Sequence, residues 1–197
     1  KYLKQIKLNT LTIIGGSGFV GKSFIDSFNR GLLKKSLISK VNIICRNKFK
    51  TKHNKNFHLK NIKILYQNIC NMKKLPESDL YIYAAETTKI IDYKNVKKIT
   101  KDHKTAINNF CKLIKDHPKS KVLYLSSGAV EKKYQNNLSK TYKKTYSLLK
   151  LYSENKIKLL KKNKICSSIA RCYTFIGPML PINQHFAIGN FLRDAKY

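Results

Sequence analysis

The sequence has 197 residues, 42% of them hydrophobic, which suits one globular domain with a sizeable core and argues against a disordered chain. It carries 41 lysines and arginines against 10 acids, a formal net charge of +31 at pH 7. No apolar stretch approaches the ~20 residues that cross a membrane, and no apolar signal region follows the basic N-terminus. We therefore expect a cytoplasmic protein without a membrane partner.

The positive charge has two explanations. Only four of the basic residues are arginine, the side chain that usually carries phosphate and base recognition, and Lys, Asn and Ile are together abundant. Codon bias from an AT-rich gene explains that pattern best. The alternative is a surface that binds polyanions, although no recognisable nucleic-acid-binding motif is present. In either case the field attracts an anionic ligand such as a dinucleotide.

Strand and helix patterns alternate along the chain, which predicts an α/β fold with a parallel sheet. The predicted strands are residues 10–15, 41–45, 62–66, 80–85, 122–126 and 165–173. The predicted helices are residues 19–35, 95–116 and 141–162, with another beginning at 186–195. The polar, basic residues 48–60 are predicted to form a surface loop.

The strongest local signal is a glycine-rich turn between the first strand and the first helix, Gly15-Gly16-Ser17-Gly18-Phe19-Val20-Gly21. Glycines allow a tight turn and a close backbone approach to a pyrophosphate, and the helix N-terminus supplies free N–H groups. This context predicts dinucleotide binding by Gly15, Ser17, Gly18, Phe19, Val20 and Gly21. The plain alternative is a tight turn without a ligand.

The end of the second strand bears on the choice of cofactor. An acid there binds the ribose 2′-OH of NAD, whereas an arginine suits the 2′-phosphate of NADP. The sequence has Cys45-Arg46-Asn47 and no acid, so Arg46 favours NADP without excluding NAD. A solvated surface arginine is the other interpretation.

Two further patterns are informative, one in the third predicted helix and one at the end of the fifth strand. Tyr146 and Lys150 are four residues apart and share one helix face, where an ammonium favours the phenolate and makes a usable acid or base. Ser126-Ser127-Gly128 ends the fifth strand, at the edge where such sheets bind ligands. Alone, the first match could be chance and the second a Ser-Gly turn; their order is more informative.

The chain resembles the extended short-chain dehydrogenase/reductases, specifically the NAD-dependent epimerase/dehydratases that act on nucleotide sugars. The motifs that carry the resemblance, in order, are Gly15–Gly21, Ala84-Ala85, Ser126–Val130, Tyr146/Lys150 with Glu154, and Arg171–Pro178. The segment from Leu180 to Phe191 looks like a subgroup of surface-polysaccharide (O-antigen type) biosynthesis. The resemblance implies a Rossmann-like doubly wound sheet in residues 1–178 and the start of a truncated substrate-binding subdomain in residues 179–197.

The resemblance also implies the chemistry. Tyr146 would remove the proton from a sugar hydroxyl while a hydride moves to NAD or NADP, Lys150 would bind the nicotinamide ribose and depress the Tyr146 pKa, and Ser127 would hold the reacting oxygen. Further expected cofactor contacts are Asn68, Ile69, Ala84 and Ala85, and further substrate contacts are Gly128 and Asn190. The expected partners are a nucleotide sugar and a second copy of the chain in a homodimer.

Departures from the family pattern leave alternatives open. Gly128-Ala129 stands where dehydratases usually have Asp-Glu, which favours an epimerase or ketoreductase over a dehydratase or decarboxylase. The span from Ser127 to Tyr146 is short and the family's remaining C-terminal residues are missing, so a non-catalytic or degenerate NAD(P)-binding module is another reading. Neither the five cysteines nor the five histidines form a cluster with zinc spacing, so we expect no metal.

Overall fold

The computed structural model describes residues 8–31, 38–47, 61–86, 93–131, 141–177, 179–180 and 187–195. Six strands form one sheet, namely β1 (Thr10–Ile14), β2 (Lys40–Cys45), β3 (Ile62–Tyr66), β4 (Leu80–Tyr83), β5 (Lys121–Ser127) and β6 (Cys166–Cys172). Their order is β3-β2-β1-β4-β5-β6, and every neighbouring pair is parallel. This is the strand order of the doubly wound dinucleotide-binding fold, so the predicted fold class is confirmed.

The described residues contain four α-helices, α1 (Phe19–Asn29), α2 (Val96–Leu113), α3 (Thr141–Leu159) and α4 (Ala187–Asp194). The last turns of the two long predicted helices are 3₁₀ turns, at Ile114–Asp116 and Leu160–Asn163. The prediction that α1 continues through residues 30 and 31 is wrong, because Gly31 adopts a φ of +70° and turns the chain. The rest of that prediction, residues 32–35, and the predicted loop at 48–60 lie outside the described residues.

The strands β1, β2 and β4 are buried on both faces because their side chains alternate between two apolar clusters, whereas the edge strands β3 and β6 are partly exposed. Toward α1, the cluster includes Leu11 and Ile13 of β1 with Ile25 and Phe28 of the helix. Toward α2 and α3, it includes Tyr81, Tyr83 and Tyr124 of β4 and β5, packed against Ile107, Phe110 and Ile157.

The carboxyl ends of all six strands lie at one edge of the sheet, because the strands are parallel. Two strands end earlier at that edge than predicted, β1 at Ile14 and β4 at Tyr83. Gly15, Ala84 and Ala85 lie just past these ends and begin the connections above the sheet, where the Gly15 N–H donates to Ile44 O at 2.9 Å and the Ala84 N–H to Ile14 O at 2.8 Å. In the described residues no helix is both long enough and apolar enough to cross a membrane.

Candidate active site

The glycine-rich turn is packed so tightly that three of its glycines could not carry a side chain. A Cβ on Gly15, which has a φ of +89°, would lie 2.5 Å from Ala84 O and from Ala85 Cα. A Cβ on Gly16 would lie 2.3 Å from Ile43 Cγ2, and one on Gly21 would lie 2.2 Å from Gly16 Cα. These glycines join β1, β4 and α1 at the carboxyl edge, and they fix where α1 begins.

Gly18 differs from the other three because protein packing does not require it. Its backbone is extended, with φ −77° and ψ −179°, and a Cβ there would meet only Gly15 O at 3.3 Å. Gly18 is the N-cap of α1, no side chain caps that end, and the first turn holds no acid. The N–H groups of Phe19, Val20 and Gly21 are therefore available to an anion, and an unsubstituted Gly18 leaves room for it.

The groups expected to meet the adenosine end lie at the ends of β2 and β3. Asn68 Oδ1 accepts a hydrogen bond from the Cys70 backbone N–H at 3.1 Å, so its amide NH₂ is the part left to donate. Ile69 packs into the core and is 5% exposed. The exposed Arg46 lies close enough to the Cys70 thiol to act on it electrostatically. An open cleft of about 510 Å³ borders this region and is lined by Gln67, Asn68, Asn71, Met72, Lys73 and Lys74.

The structure brings Ser127, Tyr146 and Lys150 together. Ser127 ends β5, and its hydroxyl hydrogen-bonds to Tyr146 on α3. Lys150 lies one turn further along α3, with its Nζ 5.7 Å from the centre of the Tyr146 ring and donating to Leu125 O at 2.7 Å. Ser147 ties the same helix to the end of β5, since its Oγ donates to Ala129 O at 2.7 Å. The arrangement places a hydroxyl, a phenol and an ammonium group at the carboxyl edge of the sheet.

The acidity of Tyr146 is set by opposing effects. Burial raises the pKa of the Tyr146 phenol, Lys150 lowers it, Glu86 raises it and the Ser127 hydrogen bond lowers it, with a net rise. The effect of Lys150 on the Tyr146 pKa thus has the predicted sign, although the net direction is upward. Burial and Glu86 together outweigh the ammonium group, and neither contribution was considered from the sequence.

Glu86 is the residue of this site that the sequence analysis missed. It follows Ala84-Ala85 directly, and its side chain is 8% exposed. One carboxylate oxygen accepts from the Tyr124 hydroxyl at 2.5 Å, and the other contacts Lys150 Nζ. A signal existed, because the chain has only 10 acidic residues and this one immediately follows a buried strand at the ligand-binding edge.

A second buried carboxylate, Glu154, anchors α3 to β5 and β6. It is 1% exposed and accepts two hydrogen bonds from Arg171, from Nε at 2.9 Å and from Nη2 at 2.7 Å. The Ser126 hydroxyl donates to the same carboxylate at 2.7 Å. Burial raises the pKa of Glu154, but the hydrogen bonds from Arg171 and Ser126 lower it by more, so the net change is a fall. Glu154 thereby fixes the helix that carries Tyr146 and Lys150.

The two remaining candidate substrate residues are placed differently from Ser127. Gly128 is buried beneath Tyr173, because a Cβ there would lie 2.5 Å from that ring. Asn190 lies on α4, and no hydrogen bond or ion pair among the described residues joins it to Ser127, Tyr146 or Lys150. Near Gly18, Phe175 packs edge-on against Phe19 with ring centres 5.4 Å apart, so the segment after β6 reaches the glycine-rich turn.

A sequence profile described as the NAD dependent epimerase/dehydratase family matches residues 11–194. The chain belongs to this family. The matched span contains the glycine-rich turn, Glu86, Ser127 and the Tyr146/Lys150 pair. None of the curated protein sequences matches the chain.

The solved structures that share the fold include nucleotide-sugar epimerases and a dehydratase. A UDP-N-acetylglucosamine 4-epimerase from Methanobrevibacter ruminantium, in complex with UDP-N-acetylmuramic acid, aligns with a TM-score of 0.75 at 19% identity over 96% of this chain and 63% of its own. A double mutant of the dTDP-glucose 4,6-dehydratase from Streptomyces venezuelae, with NAD bound, aligns with a TM-score of 0.73 at 14% identity over 94% and 62%.

A UDP-glucuronic acid 4-epimerase from Bacillus cereus, in complex with NAD, aligns with a TM-score of 0.66 at 19% identity, over 89% of this chain and 60% of its own. At these identities the likeness shows the fold alone. The chain spans less than two thirds of the length of each of the three enzymes.

Proposed function

We propose that the chain forms the dinucleotide-binding part, residues 1–178, of an NAD(P)-dependent enzyme that interconverts nucleotide sugars, with residues 179–197 beginning its substrate-binding subdomain. The observation that carries this proposal is the meeting of Ser127, Tyr146 and Lys150 at the same sheet edge as the uncapped start of α1. Family membership supports the cofactor, and the fold is shared with nucleotide-sugar epimerases and a dehydratase.

In the proposed mechanism, a bound nicotinamide supplies reversible hydride transfer at a sugar carbon, and the protein supplies the proton transfer. Tyr146 takes the proton from the sugar hydroxyl through its phenolate oxygen, and it returns a proton when the ketosugar is reduced again. Ser127 holds the reacting oxygen beside Tyr146. Lys150 offsets the negative charge that Tyr146 gains, since an ammonium group nearby favours the phenolate.

The dinucleotide would lie along the carboxyl edge. Its pyrophosphate would meet the backbone N–H groups at the start of α1, beside Gly18, and its adenosine end would meet Asn68 and Arg46. Arg46 is exposed and not held by an acid among the described residues, so it is free to meet a 2′-phosphate. We infer a preference for NADP from this guanidinium; an exposed arginine with no ligand would show equal affinity for the two dinucleotides.

One departure from the family's sequence pattern narrows the type of reaction that we propose. Gly128 and Ala129 follow Ser127, so no carboxylate stands there to catalyse elimination of water. We therefore propose an epimerase or ketoreductase, in a pathway of surface-polysaccharide biosynthesis as the segment from Leu180 to Phe191 resembles. A homodimer and a cytoplasmic location belong to the same proposal.

Replacing Tyr146 with phenylalanine tests the mechanism, because it removes the phenol oxygen and keeps the ring. We expect Tyr146→Phe to abolish turnover of UDP- and dTDP-sugars by the intact protein that contains this chain, with NADH affinity within about twofold of wild type. Tyr142→Phe is the matched control, since Tyr142 lies one turn earlier on α3 and its ring packs against Tyr93. Equal turnover in the two variants would remove Tyr146 from the mechanism.

A second candidate function is cofactor binding without catalysis. The net rise in the Tyr146 pKa favours it, because a protonated phenol is a poor base at neutral pH. Measuring NADH binding and turnover together separates the two functions. Lys150→Ala would weaken NADH binding in either case, but it would change turnover only if the protein is an enzyme.

A further inference from the structure

Glu86 and Lys150 form a buried ion pair behind the candidate catalytic tyrosine. Their side chains are each 8% exposed, and Lys150 Nζ contacts Glu86 Oε2. The other carboxylate oxygen accepts from Tyr124, whose hydroxyl is 2.5 Å away and whose side chain is fully buried. A charge taken out of water needs a partner, and Glu86 is the carboxylate that Lys150 meets.

The same contacts leave one N–H of Lys150 for a ligand. An ammonium group has three N–H donors. Leu125 O accepts one at 2.7 Å, and the ion pair with Glu86 occupies a second side of the ammonium group. In the described part of the chain no third acceptor is recorded, and Lys150 Nζ lies over the Tyr124 ring at 5.2 Å from its centre. Glu86 and Leu125 thus fix the direction of the remaining donor.

We propose that Glu86 is a positioning residue for Lys150, which it holds charged and aimed beside Tyr146, and that it thereby sets the pH range over which the site binds a nicotinamide dinucleotide. This inference rests on the proposed function, because it takes the remaining N–H of Lys150 as the donor to the cofactor ribose. The inference adds a role for Glu86, which acts through Lys150 and not on the sugar.

The surroundings explain why Lys150 needs this partner. Burial lowers the pKa of Lys150, but Glu86 raises it, as does Tyr146, and the net direction is upward. The only other basic group near Glu86 in the described residues is His103 of α2, whose Nε2 lies 3.9 Å from Oε1. Burial lowers the pKa of His103, Glu86 raises it and Lys150 lowers it, with a net fall, so His103 is neutral and does not replace Lys150.

Two uncharged acids complete the environment of the pair. Cys172 of β6 faces Lys150, and burial raises the pKa of its thiol. Tyr83 of β4 faces Glu86, and burial raises the pKa of its phenol well above the usual value. With Tyr124 and Tyr146, these groups are neutral near pH 7, so the charge balance of the cluster depends on Glu86 and Lys150.

The test is a fluorescence titration of the chain with NADH from neutral to alkaline pH, at fixed salt, for wild type and Glu86→Gln. Without the carboxylate, Lys150 loses the largest effect that opposes its burial, so the alkaline loss of NADH affinity should shift to lower pH by about one unit, a tenfold change at a given pH. Glu86→Asp restores the charge with a shorter side chain and should recover part of the shift. Tyr124→Phe loosens Glu86 without removing charge, and it serves if Glu86→Gln does not fold.

Glu154→Gln is the matched control, because Glu154 is an equally buried carboxylate on α3 whose partners are Arg171 and Ser126. It should lower the Tm but leave the alkaline limb of NADH binding where it is in wild type. A folded Glu86→Gln chain with the wild-type limb would overturn the proposal, as would the same shift in Glu154→Gln.

Lys150→Met supplies the second arm. If Glu86 acts through Lys150, Glu86→Gln should change neither NADH affinity nor its pH dependence in the Lys150→Met background. An equal further loss there would overturn the proposal. A wild-type chain that binds no NADH would refute the proposed function and the binding part of this inference together. The Tm values of wild type, Glu86→Gln, Lys150→Met and the double variant would still decide whether Glu86 and Lys150 are coupled, and additive values would overturn the pairing itself.

Discussion

Alanine substitutions at Gly21 and Gly18 should separate folding from ligand binding within one turn. A Cβ on Gly21 would lie 2.2 Å from both Gly16 Cα and Gly16 O, whereas ordinary contact begins near 3.4 Å, so the backbone must move by about 1.2 Å. Overpacking of that kind costs ~3 kcal/mol, and the better helix propensity of alanine returns ~1 kcal/mol. We expect Gly21→Ala to destabilise the chain by ~2 kcal/mol, a fall in Tm of about 4–8 °C.

Gly18→Ala should instead have little effect on stability and a large effect on ligand binding. Its Cβ would meet only Gly15 O at 3.3 Å, and alanine fits the extended backbone there. Loss of a glycine N-cap costs ~0.5–1 kcal/mol, so the Tm should fall by no more than about 4 °C. The added methyl group would occupy the space that we assign to the pyrophosphate, and NADH affinity should fall at least about tenfold, or ~1.4 kcal/mol. Thermal unfolding and NADH titration of both variants measure the two effects; a Gly18→Ala chain that binds like wild type would refute this placement of the pyrophosphate.

Two further predictions concern buried polar groups. Glu154→Gln should lower stability by ~1–2 kcal/mol. The loss is limited because Arg171 is partly exposed to water and because Ser126 keeps an acceptor. The folded-state pKa of Glu154 is depressed, so its contribution to stability is present above the unfolded pKa near ~4.3 and is lost as pH falls through the folded pKa. Urea unfolding of wild type and variant across that pH range checks this, and parallel curves of stability against pH would contradict it. His103 also has a depressed pKa, so stability should fall as pH drops below about 6.5, and His103→Gln should remove that slope in the same assay.

The sequence could predict the sheet because its central strands are apolar and helices of clear period follow the first, fourth and fifth strands. The ends of elements were less predictable, as α1 shows: apolar residues continue past Asn29, but the backbone of Gly31 ends the helix. The strands β1 and β4 stop early because Gly15 packs onto Ala84 and Ala85, a contact between segments far apart in sequence. Local patterns cannot report such a contact.

The candidate site was predictable where spacing along one element decides the geometry. Tyr146 and Lys150 share a helix face by their spacing alone, and Ser127 ends a strand at the ligand-binding edge. Glu86 was not predictable as a partner of Lys150, since the two are joined only when β4 and α3 pack together. The net direction of the Tyr146 pKa was not predictable for the same reason, because burial depends on the whole fold.

The most direct test of the account is a fluorescence titration of the chain with NADH and with NADPH at ~0.15 M salt, where non-specific charge effects are damped. Gly18→Asp is the control, because it places a carboxylate where the pyrophosphate is proposed to lie. The account predicts saturable binding that Gly18→Asp abolishes, with NADPH the tighter ligand and Arg46→Ala removing that difference. A folded chain that binds neither dinucleotide, or that binds both equally well after Gly18→Asp, would contradict the account.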